Sequence, residues 1–231
     1  PRIFPPFPDR REFELFAMME PAKEVGGDFF DFFMPSSNRL FFLIGDVSGK
    51  GVPAALFMMI AKTLMKNEAL QGLPPDEVLR RVNAIVALDN DSSMFATVFC
   101  GVLDTDTGEV QFSNAGHNPP LVCRGAANEY LKMDHGFVLG PMPGSAFTLQ
   151  KMKLAPGETL FLYTDGVTEA MNPEKQLFSE KRLQGVLAAL GDMEVSGLIG
   201  AVREEVKSFA AGEPQSDDIT MLAVRFRGRG K

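Results

Sequence analysis

Four aspartates, Asp28, Asp46, Asp165 and Asp217, stand at the edges of strongly apolar, strand-like runs. A carboxylate at the end of a buried strand faces apolar walls, so it needs a cation, an array of backbone N–H groups or a metal. Oxygen ligands of this kind suit hard cations, Mg2+ or Mn2+, and suit zinc poorly. Two such ions about 3.5–4 Å apart can orient a phosphoryl group, lower the pKa of a water between them and stabilise the leaving oxygen. Hydrolysis then needs no protein nucleophile. Taken singly, each acid has a plainer reading, and Asp46 reads first as a turn aspartate capping the helix that follows it.

Other chemistries fit less well. The stretch GDVSGKG resembles a phosphate-binding loop, but it is one residue short of G-x-x-x-x-G-K-S/T, and Gly51 stands where the magnesium-binding hydroxyl belongs. Ser48 is not in a G-x-S-x-G elbow, which argues against an acyl-transfer triad. The two cysteines and two histidines lack zinc-site spacing. His117, in the loop NAGHNPP between two strand-like runs, reads as structural or as a proton carrier, and Asn114 and Asn118 flank it.

The elements that must position these acids follow from the apolar pattern. Leu40 to Ile44 is uniformly apolar and too short for an amphipathic helix, so it predicts a strand buried on both faces. It stops at Gly45-Asp46, and after a Ser/Gly turn Pro53 opens a helix reaching about Ala69. Phe29 to Met34 should pair with that strand across Pro35-Ser36-Ser37-Asn38, which would bring Asp28 beside Asp46. Two carboxylates about 4 Å apart repel by roughly 4 kcal/mol at an effective dielectric of about 20, and a bound cation relieves this. Further strands are expected at Phe13–Met19, Met94–Leu103, Val110–Ser113, Leu121–Arg124, Tyr130–Met133, Thr159–Tyr163 and Ile219–Phe226. Helices are expected after Pro74 and at 179–190 and 195–210, with apolar residues at helical spacing.

Composition narrows the class. The 231 residues, 45% hydrophobic and 23% charged, describe an ordinary globular chain. A net charge of −7 and the absence of a basic run before the tail argue against nucleic acid or anionic membrane as partner. The longest apolar run, Val52 to Ala61, is about half of a bilayer span. Cys100 and Cys123 lie in apolar runs, as reduced core thiols of a cytoplasmic protein would. Residues 1–11, rich in proline, read as an incoming linker that packs its Phe and Ile side chains. Residues 12–226 read as one domain and 227–231 as a flexible tail. The chain opens on Pro1 rather than Met and is expected to be a domain of a longer protein.

Five segments, PAKEVGGDFFDFF, GDVSGKGVPAALFM, SNAGHNPPLV, LYTDGVTEA and SDDITMLAVR, occur in the order and spacing of the SpoIIE/RsbU-type branch of the PPM metal-dependent serine/threonine phosphatases, which the chain resembles from about residue 12 to 226. The resemblance implies an α+β fold, an αββα sandwich of two antiparallel sheets flanked by helices, with a metal centre of two Mn2+ or Mg2+ ions and room for a third. It implies that Asp46 bridges the metals, that the Val47 carbonyl is a further ligand, and that Asp28, Asp165 and Asp217 complete the set. Asp218 and Glu169 would orient those ligands. Lys23 stands where related phosphatases place a phosphate-contacting arginine, although an ammonium lacks the guanidinium's fork. Asn114 and His117 match a family motif, with His117 either the general acid or a loop-fixing residue. Phe30 replaces a frequent Tyr.

By the same resemblance the substrate is phosphoserine or phosphothreonine on a STAS-domain anti-sigma-factor antagonist, attacked by metal-activated water in a partner-switching pathway. A sensor domain is expected upstream in cis, and a homodimer is compatible with the family. The helix beginning at Val52 follows Asp46 directly and is expected, with the helix after it, to couple regulation to the metals. Two rivals stand beside this reading: a noncatalytic or switched-off partner-binding module of the same fold, and a metal-dependent hydrolase of small phosphate esters or nucleotides.

Overall fold

The computed structural model describes residues 7–88, 90 and 92–228. In chain order the elements are β1 (Phe13–Glu20), β2 (Phe29–Ser36), β3 (Arg39–Val47), α1 (Val52–Leu70), α2 (Pro75–Val86), β4 (Ala96–Asp104), β5 (Glu109–Ala115), β6 (Leu121–Arg124), β7 (Ala127–Tyr130), β8 (Gln150–Lys153), β9 (Thr159–Tyr163), α3 (Asp165–Thr168), α4 (Glu180–Leu190), α5 (Val195–Ala210) and β10 (Ile219–Phe226). They fall into two compact units that alternate along the chain.

The first unit contains Glu24–His117 and Met133–Lys153. Its sheet runs β2-β3-β4-β5-β8, every pairing antiparallel. β3 is buried on both faces, as its unbroken apolar run requires: Leu40 to Ile44 are all fully inaccessible. Phe41 and Leu43 join Ala54, Ala61 and Met65 of α1 and Val78, Leu79 and Val82 of α2 in one core. Pro53 sits in the first turn of α1, where its missing N–H costs nothing. Asp31 on β2, itself buried, pairs with Lys66 of α1 at 3.3 Å, and Lys66 also lies over the Phe33 ring. These contacts fix α1 on its sheet, while Val52, Leu56, Met59 and Ile60 remain on its exposed side.

The second unit contains Phe7–Lys23, Asn118–Lys132 and the chain from Leu154 onward. Its sheet runs β1-β10-β9-β6-β7, again antiparallel throughout. β10 is an interior strand, between β1 and β9, and every residue in it is buried. α4 and α5 cover the sheet through Leu183, Leu187, Leu198, Ile199 and Val202, which meet Phe161, Tyr163, Met221 and Ala223. Phe7, from the expected linker, stacks on Phe16 with ring centroids 4.8 Å apart; residues 1–6 of that linker and 229–231 of the expected tail lie outside the described residues. Arg227 donates its backbone N–H to the Glu12 carbonyl and pairs with Glu14.

Three local expectations are corrected. The β2–β3 turn is Ser37-Asn38 alone, because Pro35 stays within β2 at an irregularity in the register; β2 is an edge strand, where a missing N–H is tolerated. The strand expected at Tyr130–Met133 lies at Ala127–Tyr130, since a two-residue turn at Gly125-Ala126, with Gly125 at φ 60°, returns the chain at once and pairs Arg124 with Ala127. β8, sequence QKMK, was not anticipated: it is an edge strand with two exposed lysines and has no apolar run to reveal it.

Candidate metal centre

In the first unit the register pairs Phe29 with Gly45, so Asp28 and Asp46 are the next opposed positions where the β2–β3 hairpin opens. Asp28 is only 2% exposed, whereas Asp46 is partly open to solvent. Gly27 explains how oxygen atoms gather there. A Cβ on Gly27 would lie 2.8 Å from the Val47 carbonyl oxygen and 3.5 Å from Asp46 Oδ1, so only glycine lets this backbone approach. The carboxylates at 28 and 46 and the Val47 carbonyl are the donors a hard divalent cation takes.

The loop after Val47 is held by its own bonds. Ser48 donates its N–H to the Phe95 carbonyl at 2.8 Å, and Phe95 N–H donates to Ser48 Oγ at 3.0 Å. Gly49 and Gly51 take φ values of 85° and 81°, which glycine adopts without strain. Gly51 is the N-cap of α1 and no side chain caps that helix, so the plain reading of Asp46 as its cap does not hold.

The second unit repeats the device. β9 ends at Tyr163 and Asp165 begins the four-residue helix α3. Thr164 exchanges bonds with β10: its N–H donates to the Thr220 carbonyl at 3.0 Å, and its Oγ1 accepts the Thr220 N–H at 3.0 Å. A Cβ on Gly166 would lie 2.0 Å from the Asp218 carbonyl oxygen, so the Asp165-Gly166 turn presses directly on the Asp217-Asp218 backbone. Asp217 Oδ1 accepts the Asp218 N–H at 2.9 Å, and Asp218 Oδ1 accepts the Ala22 N–H at 2.8 Å. Asp218, 6% exposed, thus ties the β10 approach to the chain leaving β1. Glu169 is exposed at the end of α3 and donates its N–H to the Asp165 carbonyl. Lys23 is exposed on the same exit from β1.

His117 is only 3% exposed. Asn114 grips its backbone from both sides, accepting the His117 N–H at 2.8 Å and donating to the His117 carbonyl at 2.9 Å. The ring Nδ1 lies 3.0 Å from Thr97 Oγ1, and Thr97 stands opposite Asp46 in the β3–β4 register. Sequence reasoning did not single out Thr97 or the Gln215 side chain, which donates to the Glu20 and Asp217 carbonyls at 2.7 Å each. The four aspartates are distributed two to each unit, and among the described residues no group of three or more His, Cys, Asp or Glu side chains is gathered in metal-holding geometry.

Antiparallel sheets carrying helices, with paired acids where apolar strands end, are the construction of the PPM class of metal-dependent phosphatases. The family described as Stage II sporulation protein E (SpoIIE) matches residues 36–227, and the chain belongs to that family, in the SpoIIE/RsbU branch of the class. Protein IcfG of Synechocystis is 34% identical over 244 residues, covering 94% of this chain and 38% of that protein. Phosphoserine phosphatase RsbU of Bacillus subtilis is 31% identical over 163 residues, covering 70% of this chain and 48% of that one. The crystal structure of the RsbU and RsbW domains of Rv1364c from Mycobacterium tuberculosis matches with a TM-score of 0.79 at 28% identity, over 95% of this chain and 61% of that chain. The expected α+β PPM-type fold class is thereby borne out. The chain spans less than half the length of the curated relatives it matches.

Proposed function

We propose that this chain is a metal-dependent protein phosphatase domain that hydrolyses phosphoserine or phosphothreonine, with a phosphorylated STAS-domain anti-sigma-factor antagonist as its substrate. The observation that carries the reading is the close approach of Gly27 to the Val47 carbonyl and the Asp46 carboxylate, which gathers oxygen donors at the open end of the β2–β3 hairpin within a SpoIIE-family chain. Asp28, Asp46, the Val47 carbonyl, Asp165 and Asp217 serve as its metal ligands. When bound, Mn2+ or Mg2+ supplies a water acidified enough to attack phosphorus and positive charge for the phosphoryl oxygens.

The remaining work falls to the chain's own groups. Lys23, exposed beyond β1, presents a point charge to the substrate phosphate. His117, held by Asn114 and Thr97, serves as the group that returns a proton to the departing seryl oxygen. Asp218, bonded to Ala22, keeps Asp217 and the Lys23 segment in register.

On the same reading the domain works in the cytoplasm in a partner-switching pathway, downstream of a sensor domain in cis that acts through α1 and α2, and as a homodimer where the sensor pairs. RsbU is named a phosphoserine phosphatase, and in Rv1364c an RsbU domain shares its chain with an RsbW domain, which supports a partner-switching setting. No helix among the described residues is long and apolar enough to cross a membrane.

The test is phosphate release from a phosphoserine STAS protein with Mn2+, with Mg2+ and with chelator. Metal-dependent release that prefers the protein to small esters supports the proposal. Equal turnover of small esters would favour the general phosphate-ester hydrolase, and no release with no Mn2+ binding by calorimetry would favour the noncatalytic module. The intact acids of both pairs argue against the last.

A further inference from the structure

Gln215 lies two residues before Asp217, and its carboxamide makes two bonds of 2.7 Å, to the Glu20 carbonyl at the end of β1 and to the Asp217 carbonyl. Carbonyl oxygens only accept, so both partners require the amide NH2 and the orientation of the side chain is settled by chemistry. Glu20 is itself anchored: Arg203 of α5 donates to its two carboxylate oxygens at 2.7 and 3.3 Å. Three residues beyond Glu20 stands Lys23, and between them Ala22 N–H donates to Asp218 Oδ1. Two bonds therefore lace the segment that carries Lys23 to the loop that carries Asp217, across more than 190 residues of chain, and a third ties Gln215 to the Asp217 backbone within the loop.

One side of this loop faces open space. A cavity of about 140 Å3 borders it, lined by Gln215, Ser216, Gly166, Val206 and Ile219 among others. Ser216 is exposed and Asp217 is partly so. A loop with open space on one side takes its geometry from its hydrogen bonds. The Gln215 carboxamide is shared by the Asp217 and Glu20 backbones.

Resting on the phosphatase reading above, we propose that Gln215 is a positioning residue that locks the Asp217 loop to the Lys23 segment, so that cation affinity and phosphate-ester affinity are set by one shared clamp. Gln215→Met keeps the side chain's reach but removes both donors. Gln215→Glu places a carboxylate against two carbonyl oxygens and should be the more damaging change.

The experiment measures three quantities in the parent and in both variants: Mn2+ affinity by calorimetry, KM for para-nitrophenyl phosphate with saturating Mn2+, and the thermal midpoint without metal. Outer partners of metal ligands typically change affinity by about 10–100-fold, so Gln215→Met should weaken Mn2+ binding roughly tenfold and raise KM in parallel, with little change in midpoint. Mn2+ affinity and KM both within about twofold of the parent in the two variants would overturn the clamp alone. A fall in one quantity without the other would overturn the coupling. Collapse of the fold in both variants would also overturn it, because Gln215 would then hold the unit together rather than the loop. A parent that binds no Mn2+ would overturn the phosphatase reading, and the clamp with it.

Discussion

Gly27 and Val47 approach so closely that a single methyl group on Gly27 would lie 2.8 Å from the Val47 carbonyl oxygen. Gly27→Ala must therefore push that carbonyl or the β2 end aside. The expected result is a loss of roughly 1–3 kcal/mol in stability, typical of overpacking, and a clear drop in Mn2+ affinity. Urea denaturation and calorimetry on the same preparation check the two effects separately.

Asp46→Asn should abolish turnover and leave the fold in place. Asp46 sits opposite Asp28 at the open end of the hairpin, so the metal-free variant loses a like-charge repulsion and should melt no lower than the parent. Phosphate release and thermal melting in chelator decide this; retained turnover with Mn2+ would count against Asp46 as a ligand.

Acid should expose the α2 ion pairs. Arg80 and Arg81 both bond to Glu77, at 2.6 to 2.8 Å, and hold its carboxyl down from 4.5 to about 2. The folded state therefore binds this proton less readily than the unfolded state, so the stabilisation is present above about pH 4.5 and is lost as pH falls toward 2. The pair is exposed and screened, so the contribution is small and should fade in about 1 M salt. Comparing urea midpoints of the parent and Glu77→Gln from pH 6 down to 2.5, at low and high salt, tests the direction.

The thiols should be silent in the native protein. Cys100 and Cys123 are both buried and free, and burial pushes both up, Cys123 to about 11. At pH 8 only about one Cys123 in a thousand is thiolate, so a thiol reagent should label neither residue before unfolding and both afterward. Rapid native labelling would contradict the burial of the strands that carry them.

Much of this arrangement was readable from the chain because the deciding signals are local. Leu40 to Ile44, Thr159 to Tyr163 and Ile219 to Phe226 are apolar runs that end at acids or begin just after them, and all three are buried strands in the structure. The hairpin that opposes Asp28 and Asp46 follows from counting residues through one turn, and a slip inside that turn, with Pro35 in the strand, did not disturb it. Edge strands escaped or were misplaced because an edge needs only one neighbour and tolerates polar side chains, as β8 and β7 show. Thr97 and Gln215 were invisible for another reason. Their partners, His117 and Glu20, lie 20 and 195 residues away, and nothing in local spacing marks a hydroxyl or an amide for such a bond.

The strand order of the second unit has a consequence for how the protein comes into being. β1 has one neighbour, β10, and β10 is the last strand of this sheet to be synthesised. At about 5–20 residues per second, β1 waits roughly 10–40 s for a partner, while the first unit has all five of its strands once Lys153 has been made. During that interval β1 is an open edge, and neither the Asp165–Asp217 neighbourhood nor the bonds joining Lys23's segment to it exist. A nascent or truncated chain lacking Ile219–Phe226 therefore carries two of the four candidate aspartates, Asp165 and Asp217, on a sheet that has not formed, and the Asp217 loop takes shape only with the eight-residue strand β10.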